Sequence, residues 1–266
     1  MNTKSFRHLG LERFGSVLRL ELKRADGRNN AIVPAFLEEL ETALAEVAAG
    51  DLGLLLITGG GRVFSTGVDL GVVESLPSEE AEDFFRRGRT LVRKVLDLGL
   101  ITVAAVNGLA LGGGFELALA CDIRWAHSRT AFGFPESHRG LVPGWGGVGL
   151  LCRHLSRSRA MEMLATGDYI GARAAHEAGL VSRLFHGRDF DRQVRDAAIE
   201  LGGRPPKVLQ ALKRLSRTMG FSEEAVALEA EVFSNLWSTR QADRFMKALP
   251  ATFQRTGPDN LWESNG

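Results

Sequence analysis

The sequence predicts an α/β domain followed by a helical C-terminal region, on three observations. Short continuous apolar runs, such as Leu54-Leu55-Leu56-Ile57 and Val103-Ala104-Ala105-Val106, have the composition of strands covered on both faces. Amphipathic helical patterns separate these runs, which suggests right-handed crossovers between strands. After about Gly187 the strand signals stop and only helical patterns remain. The boundaries expected are a core over 1–187 and a helical cap over 188–266.

Val17-Leu18-Arg19-Leu20-Glu21-Leu22 alternates apolar and polar residues like a half-buried strand. Asn29-Asn30 leads to a helix beginning near Pro34, with Phe36, Leu37, Leu40, Leu44 and Val47 on its apolar face and Gly50-Asp51 as its stop. Gly53-Leu54-Leu55-Leu56-Ile57-Thr58 is the first covered strand. Glu79, Glu80 and Glu82 open an amphipathic helix through Leu98, and Thr102-Val103-Ala104-Ala105-Val106 is the next covered strand. Residues 115–120 read as helix, 123–126 as strand, and Leu180-Val181-Ser182-Arg183-Leu184 as a weaker strand. In the C-terminal region Pro205-Pro206 starts one helix, Phe221-Ser222-Glu223-Glu224 caps another, and 241–249 supplies a third, before Ser264-Asn265-Gly266 frays.

Bulk composition narrows the function. A chain of 266 residues with 44% hydrophobic content can bury a large core. Lys+Arg 33 against Asp+Glu 32 leaves +1, which argues against nucleic acid as the main partner and makes any phosphate binding local. Cys121 and Cys152 form no disulfide framework, and neither the cysteines nor the six histidines show metal-ligand spacing, so no metal or redox cofactor is expected. A reducing cytoplasm is the expected location, since 1–10 lacks the apolar stretch of an export signal. Residues 100–121 carry Glu116 as their only charge and nearly reach membrane-spanning length. Asn107 and four glycines make a buried strand, turn and helix the better reading.

Two segments carry chemistry. Val63-Phe64-Ser65-Thr66-Gly67-Val68-Asp69-Leu70 follows a covered strand and the Gly59-Gly60-Gly61 turn. Asn107-Gly108-Leu109-Ala110-Leu111-Gly112-Gly113-Gly114-Phe115-Glu116 places three glycines before a helix whose free N–H groups and positive end can face an anion. Either segment alone reads equally well as a plain turn, and the second also as a phosphate cradle. No G-x-G-x-x-G opens the first strand-to-helix turn and no G-x-x-x-x-G-K-[ST] exists, so dinucleotide and nucleotide-hydrolase readings fall away.

Glu116 lies in Phe115-Glu116-Leu117-Ala118-Leu119-Ala120, where burying a carboxylate costs several kcal/mol unless something needs it. Glu136 follows 20 residues later in Phe132-Gly133-Phe134-Pro135-Glu136, and the intervening strand can return the chain to the same cavity. The competing reading is a carboxylate that caps backbone amides or pairs with Arg139. Arg24 and Arg28 precede Asn30-Ala31 and can grip phosphate by two points, or serve as solvated surface charge. His138 and Trp145 lie near the expected pocket, and His138 is assigned no role.

These segments together resemble the enoyl-CoA hydratase/isomerase, or crotonase, superfamily from about Val17 onward. Phe64-Ser65-Thr66-Gly67-Val68-Asp69-Leu70 is similar to its F-x-x-G-x-D-[IL]. Ala104-Ala105-Val106-Asn107-Gly108-Leu109-Ala110-Leu111-Gly112-Gly113-Gly114 is similar to A-A-V-N-G-x-A-x-G-G-G, with Cys121-Asp122-Ile123 and Phe132-Gly133-x-Pro135-Glu136 in register. Gly140-Leu141-Val142-Pro143-Gly144-Trp145-Gly146-Gly147 resembles G-x-x-P-G-x-G-G. The sequence departs from the hydratase pattern at Val148-Gly149-Leu150 in place of Thr-Gln-Arg, at Ile101 in place of proline, and in a basic C-terminal signature reduced to Phe245-Met246-Lys247-Ala248.

The resemblance implies a crotonase-like spiral of repeated ββα units with a helical C-terminal trimerisation region, and a homotrimer or hexamer. It implies an oxyanion hole from the amides of Val68 and Gly113, and a Glu116/Glu136 acid–base pair with the Gly144 amide beside the water. It also implies substrate or CoA contacts at Thr66, Gly67, Asp69, Leu70, Gly112, Pro135, Phe245 and Lys247. The expected activity is hydration of an enoyl-CoA, with coenzyme A as part of the substrate. The alternatives on the same fold are a Δ3-Δ2 enoyl-CoA isomerase and a carrier-protein enoyl thioester hydratase. A non-catalytic acyl-CoA- or RNA-binding homologue is the alternative of another class.

Overall fold

The computed structural model describes residues 5–27, 29–47, 52–217 and 223–238. Two compact units divide the chain, Met1–Gln210 and Ala211–Gly266. The first half of the chain runs β1 (Leu9–Phe14), β2 (Val17–Leu22), α1 (Pro34–Glu46), β3 (Leu54–Gly59), α2 (Leu70–Val73), α3 (Ser78–Asp97), β4 (Ile101–Val106), β5 (Leu109–Leu111), α4 (Gly113–Ala120) and β6 (Ile123–His127). There follow β7 (Ala131–Gly133), a 3-10 turn (Pro135–Arg139), α5 (Gly147–His154), α6 (Arg157–Thr166), β8 (Tyr169–Gly171), α7 (Ala172–Glu177), β9 (Arg183–Phe185), α8 (Phe190–Gly202), α9 (Pro206–Ser216) and α10 (Glu223–Ser238).

A six-stranded sheet has the order β1-β2-β3-β4-β6-β9, parallel throughout except for the β1–β2 hairpin. Alternate residues of its central strands feed two cores, as the period of two requires. Leu55, Ile57, Ala104 and Val106 face the larger core with α1, α3 and α4. Leu54, Leu56, Val103 and Ala105 face a smaller one with Phe190, Val194 and Ala198 of α8. Every residue of β3 and β4 is buried, which accounts for their continuous apolar composition.

A second sheet, β5-β7-β8, is made of three-residue strands. The chain twice places a strand in the large sheet, then a short strand in the small one, then a helical turn: β4–β5–α4 and β6–β7–3-10 turn. This is the expected ββα repeat. It brings the start of α4 and the start of the 3-10 turn side by side, because β5 and β7 pair in parallel through Leu111↔Gly133.

Several expectations shift. The helix expected over 115–120 begins two residues earlier, at Gly113, inside the glycine run. The weak strand at 180–184 is displaced to Arg183–Phe185, with Leu180 and Val181 buried as packing residues instead. The first unit extends past 187 to Gln210, because α8 lies on β2, β3 and β9. The expected helix stop at Gly50-Asp51, the cap residues Phe221 and Ser222, and the helix over 241–249 lie outside the described residues. Among the described residues no helix is long and apolar enough to cross a membrane.

Asp122 ties β4 to the segment entering β6. Its Oδ2 accepts from Thr102 N at 2.8 Å and Thr102 Oγ1 at 2.9 Å, while Thr102 Oγ1 accepts from Asp122 N at 2.9 Å. Asp122→Ala leaves the Thr102 amide and hydroxyl without that acceptor, at a cost of about 1.5–3 kcal/mol for hydrogen bonds to a charged group. The expected outcome is a lower urea midpoint with an unchanged denaturant slope.

Candidate active site

The site begins where two loops touch. Gly67, at φ +83°, carries no side chain because a Cβ there would lie 2.6 Å from Leu111 O and 3.0 Å from Gly113 N. The contact is registered by Leu111 N donating to Ser65 O at 3.0 Å, and by Ser65 Oγ donating to Asn30 O at 2.8 Å and accepting from Gly67 N at 3.1 Å. On the outer side Ile32 N donates to Gly67 O at 2.7 Å and Asp69 N to Ile32 O at 3.0 Å. Successive amides of an extended segment point to opposite sides, so the Val68 N–H turns away from Ile32, and Val68 lines a cavity with Gly113. Gly113 is the first residue of α4, where an N–H has no acceptor within the helix. Among the described residues neither N–H has a protein acceptor. The positive end of α4 adds to their preference for negative charge.

Glu116 stands one turn into α4, a helix buried all round, and is 1% exposed. Its Oε1 accepts from Trp145 N at 2.7 Å, in the loop before α5, and from Gly147 N at 2.8 Å, the first residue of α5. Burial pushes its pKa up to about 7; the bonds from Gly147 and Trp145 oppose the rise, and the Glu136 charge adds to it. Glu136 opens the 3-10 turn behind Pro135, and burial raises its pKa as well. Its Oε2 is buried without a hydrogen-bond partner, and its Oε1 lies 2.7 Å from the place a Cβ on Gly112 would take. Gly112, at φ +48°, therefore makes the turn before α4 and leaves room for the second carboxylate. The Glu136 charge therefore reaches Glu116, and both carboxyls are pushed toward the protonated form, mainly by burial.

Both glutamates line one cavity of about 470 Å³, together with Val68, Gly113 and Gly144. Thr66, Asp69, Leu70, Gly112 and Pro135 also reach it, and Gly67 lies beneath as the spacer between the loops. Arg24 does not serve as a surface phosphate grip. Its side chain is 5% exposed, with Nη1 donating to Asp69 Oδ2 at 2.7 Å and to Ala31 O at 3.2 Å, and Nε 2.7 Å from Asp26. Burial requires such partners, and they use the guanidinium to hold the 66–70 loop. Arg28, Phe245 and Lys247 lie outside the described residues. Among the described residues no ion pair joins Glu136 to Arg139, although Arg139 borders the cavity. His138 Nε2 bonds Thr166 O at 2.6 Å and packs at the end of α6.

Sequence reasoning leaves out Gly147 and Tyr169, gives Trp145 no role, and reaches Phe85 only as the end of the 70–85 segment expected to shape the acyl pocket. A Cβ on Gly147 would stand 2.9 Å from Glu116 Cγ, and the one signal for it is its place in the Gly-Trp-Gly-Gly run. Trp145 lays its six-membered ring against Gly113 and its five-membered ring against Gly88 of α3. Phe85 and Tyr169 reach the cavity from distant elements, and nothing in their local sequence marks them. Among the described residues no group of three or more His, Cys, Asp and Glu side chains is placed to hold a metal ion.

Residues 12–255 match the model of the family described as enoyl-CoA hydratase/isomerase. The chain is 33% identical over 252 residues to a 2,3-dehydroadipyl-CoA hydratase of Escherichia coli (strain K12), covering 91% of this chain and 94% of that one. It is 30% identical over 252 residues to a crotonyl-CoA hydratase of Syntrophomonas wolfei, covering 92% and 95%. The crystal structure of an enoyl-CoA hydratase from Bacillus anthracis superposes with a TM-score of 0.85 at 26% identity, covering 91% of this chain and 95% of that one.

The raised pKa of Glu116 has a consequence for stability. The folded chain holds this proton more tightly than the unfolded one, so the contribution is full below the ordinary value of 4.5 and is lost as pH rises toward about 7. Glu116→Gln keeps an acceptor for Trp145 N and Gly147 N without the buried charge. Its stability relative to the unsubstituted protein is expected to rise by roughly a few kcal/mol between pH 4.5 and pH 7. Urea midpoints of both proteins across that range test this; parallel curves refute it.

Proposed function

The chain belongs to the enoyl-CoA hydratase/isomerase family, and we propose that it is an enoyl-CoA hydratase in which backbone amides hold the thioester oxygen while Glu116 and Glu136 handle one water. The observation that carries this reading is the presence of both carboxylates in the one cavity that the Val68 and Gly113 amides border. The thioester carbonyl oxygen accepts from these two N–H groups. As the water oxygen attacks the β-carbon, electron density moves onto the thioester oxygen, where each preorganised donor stabilises the enolate by about 3–4 kcal/mol. Glu116 takes the proton that the water releases, and Glu136 delivers a proton to the α-carbon. The product carries OH on the β-carbon and H on the α-carbon, and the reverse path dehydrates it.

The division of labour follows from the hydrogen bonds. Two N–H donors on Glu116 Oε1 favour its charged form and offset part of the rise that burial causes, so Glu116 is available as a base from about pH 7 upward, with the Gly144 N–H beside the water. Glu136 Oε2, buried without a donor, suits the form that carries a proton. Isomerisation of a 3-enoyl-CoA needs the same oxyanion hole and a single base, so a second carboxylate in the same cavity favours hydration.

The 66–70 loop lies against the CoA adenine in this reading, and the CoA contacts expected at Phe245 and Lys247 fall outside the described residues. Assembly as a homotrimer or hexamer through the C-terminal helices, a cytoplasmic location and the absence of any cofactor besides the substrate's own CoA complete the proposal. Cys121 and Cys152 form no disulfide with each other.

Crotonyl-CoA and a 3-enoyl-CoA offered separately decide the reaction. The conjugated thioester's ultraviolet band falls on hydration of the first and rises on isomerisation of the second. A fall with crotonyl-CoA is expected, and no change with either substrate refutes the proposal. Glu116→Gln and Glu136→Gln are each expected to lower kcat by about 10²–10⁴, and full turnover in either variant would remove that glutamate from the mechanism. The pH–rate profile is expected to be bell-shaped around neutrality, since activity needs one proton shared by the pair.

A further inference from the structure

The cavity that holds the glutamates is also lined by apolar side chains, Phe85 of α3 with Leu141, Val142 and Trp145. A second depression, of about 680 Å³, lies along the first turns of α3 and is lined by Glu79, Glu82, Asp83, Arg86 and Arg89, with Phe85 common to both linings. One phenyl ring thus stands between the apolar part of the cavity lining and a charged depression.

The ring is held in place. Its Cδ1 lies 3.3 Å from the position a Cβ on Gly144 would take, and it stands edge-on to Phe84 at a centroid distance of 5.6 Å. Phe84 in turn packs on Trp145 at 6.0 Å. Arg89 Nη1 donates to Gly144 O at 3.3 Å, which ties α3 to the 140–147 loop one turn from the ring. Displacing Phe85 therefore means disturbing α3 and the loop that supplies the Glu116 hydrogen bonds.

We infer that Phe85 is the end-stop of the acyl-binding space and restricts the enzyme to short enoyl chains, a claim that rests on the hydratase reading above. Each methylene buried on the cavity side strengthens transition-state binding by roughly fourfold. A chain long enough to meet the ring gains nothing further, because beyond it stand three carboxylates and two guanidinium groups. The depression carries the charges of a solvated surface, so an apolar tail has no incentive to enter it while the ring closes the way.

The test is the chain-length dependence of kcat/KM for crotonyl-, hexenoyl-, octenoyl-, decenoyl- and dodecenoyl-CoA, in the full chain and in Phe85→Ala, Phe85→Leu and Phe85→Trp. The unsubstituted enzyme is expected to lose activity toward the long substrates. Phe85→Ala should join the two spaces and raise the decenoyl-to-crotonyl ratio by about tenfold or more, Phe85→Leu should raise it less, and Phe85→Trp should lower it. A flat profile in the unsubstituted enzyme overturns the inference even if every variant fails to fold. So does an unchanged profile in folded variants. If no chain length is hydrated at all, the hydratase reading is what fails.

Discussion

A carboxylate that is 1% exposed inside an apolar helix must be satisfied by something rigid, and the rest of the site is arranged around that requirement. Glu116 obtains its donors from the main chain of Trp145 and Gly147. Those bonds pin the 140–147 loop over α4, and once Trp145 N is fixed its indole ring has to go somewhere. It fills the space that side chains at Gly88 and Gly113 would occupy, so α3 approaches the start of α4 closely. Phe85 is one turn from Gly88 on α3, and its contact with the Gly144 position follows from the same docking. A single buried charge thereby determines where the cavity's far wall stands.

The donors opposite that wall follow a different logic. They belong to peptide groups, which carry no rotamer freedom and cannot collapse onto the cavity when it is empty. Their closeness depends on two glycines. Gly67 lets one loop lie on the other, and Gly112 turns the chain into α4 while leaving space for Glu136. The part-buried ion pair between Arg24 and Asp69 holds the outer end of the same loop, so a residue that does not line the cavity helps to set the position of the Val68 amide. A guanidinium placed there is used up in holding the loop.

Much of this is legible in the amino-acid sequence, for definite reasons. Strands β3 and β4 are buried on both faces, so their apolar runs have few competing readings. Glu116 stands out because nothing else in its helix is polar. The hidden parts are those whose character is tertiary. Strand β1 is an edge strand with three exposed residues at its centre, which erases the alternation that would mark it. Strands β5, β7 and β8 are three residues long, too short to display a period of two. Arg24 reads as surface charge because Asp69, the carboxylate that ties it to the 66–70 loop, lies 45 positions away. The role of Phe85 depends on which space lies on each side of α3, a property that no local pattern encodes.

The site consequently separates into two parts with different tolerance for change. The proposed oxyanion donors and Glu116 are held by loop contacts, a helix start and main-chain hydrogen bonds, where one altered contact disturbs several others. The apolar wall consists of side chains on α3 and in the 140–147 loop that touch neither peptide donor through hydrogen bonds. Leu141 and Val142 are 49% and 74% exposed, so replacing either removes little buried surface. Acyl preference can therefore diverge by substitution at the wall while the chemistry stays as it is. Trp145 is the exception, since its backbone serves Glu116 and its ring shapes both Gly113 and the wall. At that position a change made for the sake of the substrate also reaches the base.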